Sequence, residues 1–121
     1  MMSKNRNLYR VLWKFHYAFT GLINGLRYDS SIQLQVFFAM IALSIAIIFK
    51  FTQTELVILI VCIGFVLSFE YLNSSLEAML DRLQPDVHPM AKQAKDLGSA
   101  SVGISALISL IIGLIFLFNH I

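Results

Sequence analysis

The residues best equipped for chemistry lie between Glu70 and Asp81, in the stretch Glu-Tyr-Leu-Asn-Ser-Ser-Leu-Glu-Ala-Met-Leu-Asp. On one continuous helix, offsets of seven and eleven residues are near whole turns, so Glu70, Glu77 and Asp81 share a face. Asn73 joins them, three residues after Glu70 and four before Glu77. Three carboxylates on one stripe repel one another and call for positive charge. The run Leu56 to Phe69 directly before them holds no charge, which puts Glu70 at the edge of an apolar helix. An ionisable group there is costly and by default suggests function. The stripe reads either as a metal and proton-transfer site or as ordinary acids on a cytoplasmic helix end, and the cost of Glu70 favours the first.

A second cluster, Lys92, Lys95, Asp96 and Ser99, stands at the start of the last apolar segment, with Lys92, Lys95 and Ser99 on one face. Asp29, just before the first apolar segment, falls at the same membrane level. Carboxylates with nearby lysines suit a magnesium ion and a polyphosphate, since oxygen ligands hold the hard cation and ammonium groups offset phosphate charge. A carboxylate can also take a proton from an attacking hydroxyl. The rival is a structural ion-pair network, for instance Glu77 or Asp81 with Lys92 or Lys95. The sequence has no Gly-x4-Gly-Lys-Ser/Thr loop, no Gly-x-Gly-x-x-Gly and no His-Arg-Asp, so phosphoryl transfer needs another architecture. His16 and His120 read as interfacial residues, whereas His88, in a polar turn, is a candidate for ligand contact.

These residues must be carried by a membrane protein. A hydrophobic fraction of 58% and a charged fraction of 13% in 121 residues exceed what a water-soluble core of that size can hide. The length allows one domain, 1–121. Net charge is only +2, and with no basic run interleaved with aromatics nothing points to nucleic acid. Lys4, Arg6, Arg10, Lys14 and Arg27 precede the first apolar span against a single acid, Asp29, which orients the N-terminus to the cytoplasm. Cys62 is the only cysteine, so no internal disulfide or cysteine metal cluster forms, and no cleavable signal peptide is evident.

The pattern predicts an all-α integral membrane fold with a surface helix and three spans. Leu8, Val11, Leu12, Phe15, Phe19, Leu22, Ile23 and Leu26 follow helical spacing, while Arg10, Lys14, Tyr17, Gly21 and Asn24 fill the other side. Such a helix, over about 7–28, lies in the interface, and Trp13, Tyr17, Tyr28 and Tyr71 read as interfacial belt residues. The first span covers about 32–51, interrupted near its start by Gln33 and Gln35; Lys50 can snorkel to the far interface. The short turn Thr52-Gln53-Thr54 makes spans one and two a hairpin, with Thr54 as the expected cap. The second helix runs over about 55–82. The polar turn with Pro85 and Pro89 ends it, and the third runs over about 90–118. Ser101, Ser105, Ser109 and Gly113 recur every four residues there, a pattern for close helix packing, either within the chain or between copies.

Glu70-Tyr-Leu-Asn73-Ser-Ser-Leu-Glu77-Ala-Met-Leu-Asp81-Arg82 resembles the signature of the prokaryotic diacylglycerol kinase family, which includes the undecaprenol kinases. Ala94-Lys95-Asp96-Leu-Gly98-Ser99-Ala100 resembles that family's second signature, and Arg10, Tyr17 and Gly21-Leu22 fit its amphipathic N-terminal helix. The resemblance covers nearly the whole chain, in order and spacing. It implies a homotrimeric lipid kinase of the bacterial inner membrane, with its active site on the cytoplasmic side, transferring the γ-phosphate of ATP to a lipid hydroxyl with Mg2+. Glu70 would be the catalytic base, Glu77 and Asp29 the metal-holding residues, and Asn73 would orient the site, with Asp81 in support. Arg10, Tyr17, Asp29, Glu77, Asp86, His88, Lys95 and Asp96 would contact ATP; Arg10, Glu70 and Ser99 would contact the lipid.

Two positions depart from the family pattern. Asp29 stands where the family has Glu, one methylene longer, and Asp86 where Glu is usual. Asn73-Ser74 and Gly98-Ser99-Ala100 resemble the diacylglycerol branch, and His88-Pro89 before Ala91-Lys92 resembles the undecaprenol branch. The balance favours diacylglycerol, giving phosphatidic acid. Undecaprenol is the alternative, and a non-catalytic membrane subunit or transporter is the reading of another class.

Overall fold

The computed structural model describes residues 2–83 and 89–121, with the side chains of residues 2–4 left aside. It consists of four helices, α1 Met2–Tyr28, α2 Ser30–Ile48, α3 Gln53–Leu83 and α4 Pro89–His120, and among the described residues there is no strand. Three of them, α2, α3 and α4, are long and apolar enough to cross a membrane. Most of their large apolar side chains stay exposed, among them Phe37, Ile47, Ile60, Ile108 and Phe118, as lipid-facing surfaces require.

Helix length decides where the polar residues sit. The 31 residues of α3 extend about 46 Å, against a hydrocarbon layer of about 30 Å. The helix therefore carries Asn73 to Leu83 beyond the layer as a continuous rod, and α4, which packs chiefly along α3, does the same for its first turns.

A single residue, Asp29, joins α1 to α2. Its extended backbone (φ −101°, ψ 114°) makes it the N-cap of α2, where Oδ1 accepts the N–H groups of Ser31 at 2.9 Å and Ile32 at 3.1 Å. The Asp29 N–H itself donates to the Gly25 carbonyl at 3.1 Å. Gln33 donates through Nε2 to the carbonyls of Leu26 and Arg27, each at 3.1 Å, pairing two groups that the end of α1 would otherwise leave open.

At the other membrane face Lys50 takes a left-handed backbone (φ 58°). That closes α2 with Phe51 N–H on the Ala46 carbonyl at 2.9 Å and Lys50 N–H on the Ile47 carbonyl at 3.2 Å. Thr52, not the expected Thr54, caps α3. Its hydroxyl accepts the Glu55 N–H at 3.2 Å, while Glu55 Oε1 accepts the Thr52 N–H at 2.8 Å. The Thr-x-x-Glu spacing allows this reciprocal pair, and Thr54 has no acid three residues on. Glu55 also meets His120 Nε2 of α4 at 2.6 Å, and His120 stacks on Phe51 at 5.2 Å. With the small core of Ala46, Phe51 and Leu59, this cluster ties the three spans at one end. The serine stripe of α4 is half buried, and its hydroxyls bond carbonyls of their own helix. Ser109 and Gly113 line an open groove with Leu59 and Cys62 of α3, and an added Cβ at Gly113 would meet nothing within 4 Å, so the stripe does not draw the helices together there.

Candidate active site

The carboxylates of α3 enter two different environments. Glu70 is 6% exposed, and Gln35 of α2 donates to its Oε2 through Nε2 at 3.4 Å. A buried carboxylate is costly unless paired or hydrogen-bonded, yet its partner here is a neutral amide. One turn on, Asn73 is 8% exposed and donates through Nδ2 to Glu77 Oε1 at 3.2 Å. Asn73 Oδ1 is buried without a hydrogen-bond partner and faces Gly98 of α4.

Asp29 reaches this face from the α1–α2 corner. Burial pushes its carboxyl upward, but the Ser74 hydroxyl of α3 and the Ile32 and Ser31 N–H groups outweigh that and hold it below its ordinary value. Asp29 and Glu77 both act electrostatically on Glu70. The structure thus brings Asp29, Glu70, Asn73 and Glu77 to one neighbourhood.

Asp81 and the α4 cluster form a second layer. Lys95 Nζ pairs with Asp81 Oδ1 across α3 and α4, and Lys92 Nζ pairs with Asp96 Oδ2 at 2.7 Å along α4. Asp81, Lys92 and Asp96 are well exposed and Lys95 is partly exposed, so these pairs add little stability and can open to a ligand at small cost. Ser99 is exposed one turn further along α4. Arg10 and Tyr17 stand exposed on α1, Tyr17 against Trp13 at 5.8 Å and His16 at 5.9 Å within its own helix. Asp86 and His88 lie outside the described residues.

Among the described residues no three His, Cys, Asp or Glu side chains converge as a metal cage. The donor set still fits magnesium. That ion demands oxygen ligands and is commonly held by one or two carboxylates together with phosphate oxygens and water. Glu77 and Asp29 supply such carboxylates, and Asn73 engages Glu77 through one oxygen only.

Four positions went unrecognised in the sequence as parts of the site. Gln35 appears there as an interruption of an apolar run; a polar side chain inside a span is itself the signal, because it needs a partner. Ser74 is hidden in the Asn-Ser-Ser run. Gly98 and Tyr71 gain meaning only from what stands opposite them.

Taken together, fold and site define a small multi-span membrane protein with a carboxylate face where its spans leave the lipid. The family model described as prokaryotic diacylglycerol kinase matches residues 16–117, and the chain belongs to that family. It is 29% identical over 104 residues to a diacylglycerol kinase of Haemophilus influenzae, covering 86% of this chain and 88% of the relative. It is 28% identical over 120 residues to that of Escherichia coli K12, covering 99% and 98%. An undecaprenol kinase of Bacillus subtilis is 32% identical over 108 residues, covering 89% and 88%. The chain is a membrane-embedded lipid kinase, a phosphotransferase with an alcohol acceptor.

Proposed function

We propose that the chain transfers the γ-phosphate of ATP to the hydroxyl of diacylglycerol, giving phosphatidic acid. It would act with Mg2+ as a homotrimer, on the cytoplasmic side of the bacterial inner membrane. The observation that carries this reading is Glu70, a carboxylate buried where the apolar spans end and held by a neutral amide. A group so placed meets a lipid whose chains stay in the bilayer and whose hydroxyl sits at the interface. Gln35, its partner, also lines one end of an apolar groove of about 420 Å3 between α2, α3 and α4, which supports an apolar approach to Glu70.

In the reaction the lipid hydroxyl gives its proton to Glu70 as its oxygen bonds to the γ-phosphorus, and the bond from that phosphorus to the bridging oxygen breaks to release ADP. The magnesium ion would offset phosphate charge when bound, held by Glu77 and Asp29. Asn73 orients Glu77, and Asp81 holds Lys95 until phosphate replaces it. Lys95, Asp96, Arg10, Tyr17, Asp86 and His88 contact the nucleotide, and Ser99 with Arg10 contacts the lipid. Undecaprenol is the second reading, favoured by the likeness to the Bacillus subtilis enzyme. Purified protein in detergent, given magnesium, labelled ATP and each lipid in turn, tests both. Label passing to diacylglycerol upholds the proposal, label passing to undecaprenol alone replaces the substrate, and no transfer to any lipid rejects it.

A further inference from the structure

Tyr71 follows Glu70 directly on α3, and one residue's rotation of about 100° points it at a different helix. Its hydroxyl donates to the Leu22 carbonyl of α1 at 2.7 Å. A helical carbonyl has a second lone pair, so this bond adds to the helix rather than competing with it. The ring lies directly on Gly25, where a Cβ would stand 2.7 Å from Cζ and 2.8 Å from the hydroxyl oxygen. Such distances are not reached by real side chains, so Gly25 is the residue that lets the ring come down on α1.

The contact feeds into the site. The Gly25 carbonyl accepts the Asp29 N–H at 3.1 Å, so the turn of α1 beneath the ring is bonded directly to Asp29. Thus Tyr71 of α3 grips α1 one turn before Asp29. Apart from this corner, α1 offers the body of the protein little: its Leu8 to Phe19 stretch is exposed all round. Without the ring, the surface helix would hinge at Asp29.

We infer that Tyr71 and Gly25 form a clasp that positions Asp29 and the surface helix against the carboxylate face of α3. Tyr71 is a positioning residue that acts through Asp29, on the metal and nucleotide side of the reaction. The inference rests on the lipid-kinase reading above for its kinetic consequence, and on geometry alone for its structural one.

Two measurements test it. The first is kinetic: Tyr71→Phe deletes one hydrogen bond and should raise KM for Mg-ATP about three- to ten-fold, with kcat changed less than about two-fold. A fall in kcat alone, or no change, overturns the assignment. The second is a distance between spin labels at Thr20→Cys on α1 and Met79→Cys on α3, in a Cys62→Ser background diluted with unlabelled protein. Tyr71→Phe and Gly25→Ala should each broaden or shift the distribution, and Gly25→Ala should add nothing once Tyr71 is Ala. An unchanged distribution in Gly25→Ala removes the clasp. If the parent protein phosphorylates no lipid, the functional reading fails while the spin-label distances still decide the clasp.

Discussion

The side-chain oxygen of Asn73 points at the Cα of Gly98, so α3 and α4 close on each other at the site only because residue 98 has no side chain. That oxygen has no hydrogen-bond donor, while the amide nitrogen of the same group serves Glu77. Asn73 is therefore held between a backbone it touches and a carboxylate it orients.

Gly98→Ala should damage the protein even though alanine is the better helix former by about 1 kcal/mol. The added methyl meets Asn73 Oδ1 and, at 3.3 Å, a methyl of Leu76, and overpacking of this kind costs about 1–3 kcal/mol. Asn73 has to turn, and Glu77 loses its donor. Stability in detergent should fall, and turnover with it. In an Asn73→Ala background the same change should cost nothing or stabilise. Equal losses in both backgrounds would show that the oxygen does not fill that space.

Lys95 tests whether the exposed pairs are structural or serve a ligand. Its bond to Asp81 is too exposed to hold the fold, so Lys95→Met should leave thermal stability within about 1 kcal/mol. Nucleotide affinity should drop about ten-fold or more if the ammonium exchanges Asp81 for phosphate. Titration with an ATP analogue and a melting curve on one preparation separate the two. A large stability loss with unchanged nucleotide binding would make the pair a strut between helices.

Asp29 combines two duties, capping α2 and facing the carboxylates. A carboxyl held below its ordinary value when folded contributes stability above the unfolded value and loses it as pH falls through the folded one. The corner should hold at neutral pH and loosen only below about pH 4. Amide exchange at Ser31 and Ile32, corrected for intrinsic rate, should show protection at pH 7 and its loss in acid. Asp29→Asn keeps a capping oxygen but drops the charge, so it should raise the magnesium requirement and lower turnover, whereas Asp29→Glu should keep or improve activity. Unchanged magnesium dependence in Asp29→Asn would reduce the residue to a cap.

The three spans were legible because each is a long apolar run bounded by polar turns, and the surface helix because its basic and apolar residues alternate at helical spacing. The stripe Glu70, Asn73, Glu77 was legible for the same reason, since neighbours on one helix are set by its period. Contacts between helices were not. Gln35 and Glu70 are 35 residues apart and Tyr71 and Leu22 are 49 apart, and no periodicity within a segment relates them. Ion pairing between Glu77 or Asp81 and Lys92 or Lys95 is legible as a rival to ligand binding, but which acid meets which lysine is set by the helix packing, and the structure pairs Asp81 with Lys95. The cap at Thr52 was missed, although Thr-x-x-Glu spells it out.

The proposed reaction divides its chemistry between Glu70 and Glu77. Glu70 is buried at the edge of the lipid beside Gln35; Glu77 stands two turns on, about 10 Å toward the helix end, beside Asn73. The first is placed for a hydroxyl arriving from the bilayer, the second for a phosphate and its cation arriving from water. Glu70→Gln keeps size and removes the base, so turnover should fall about 10²-fold or more with nucleotide affinity nearly intact. Glu77→Gln should weaken Mg-ATP binding as well as turnover. Steady-state kinetics with both substrates varied, together with direct nucleotide binding on each variant, distinguishes the two roles. Normal turnover of Glu70→Gln at saturation, with nucleotide affinity lost, would make Glu70 a binding residue and leave the proton acceptor to be sought among Glu77 and Asp29.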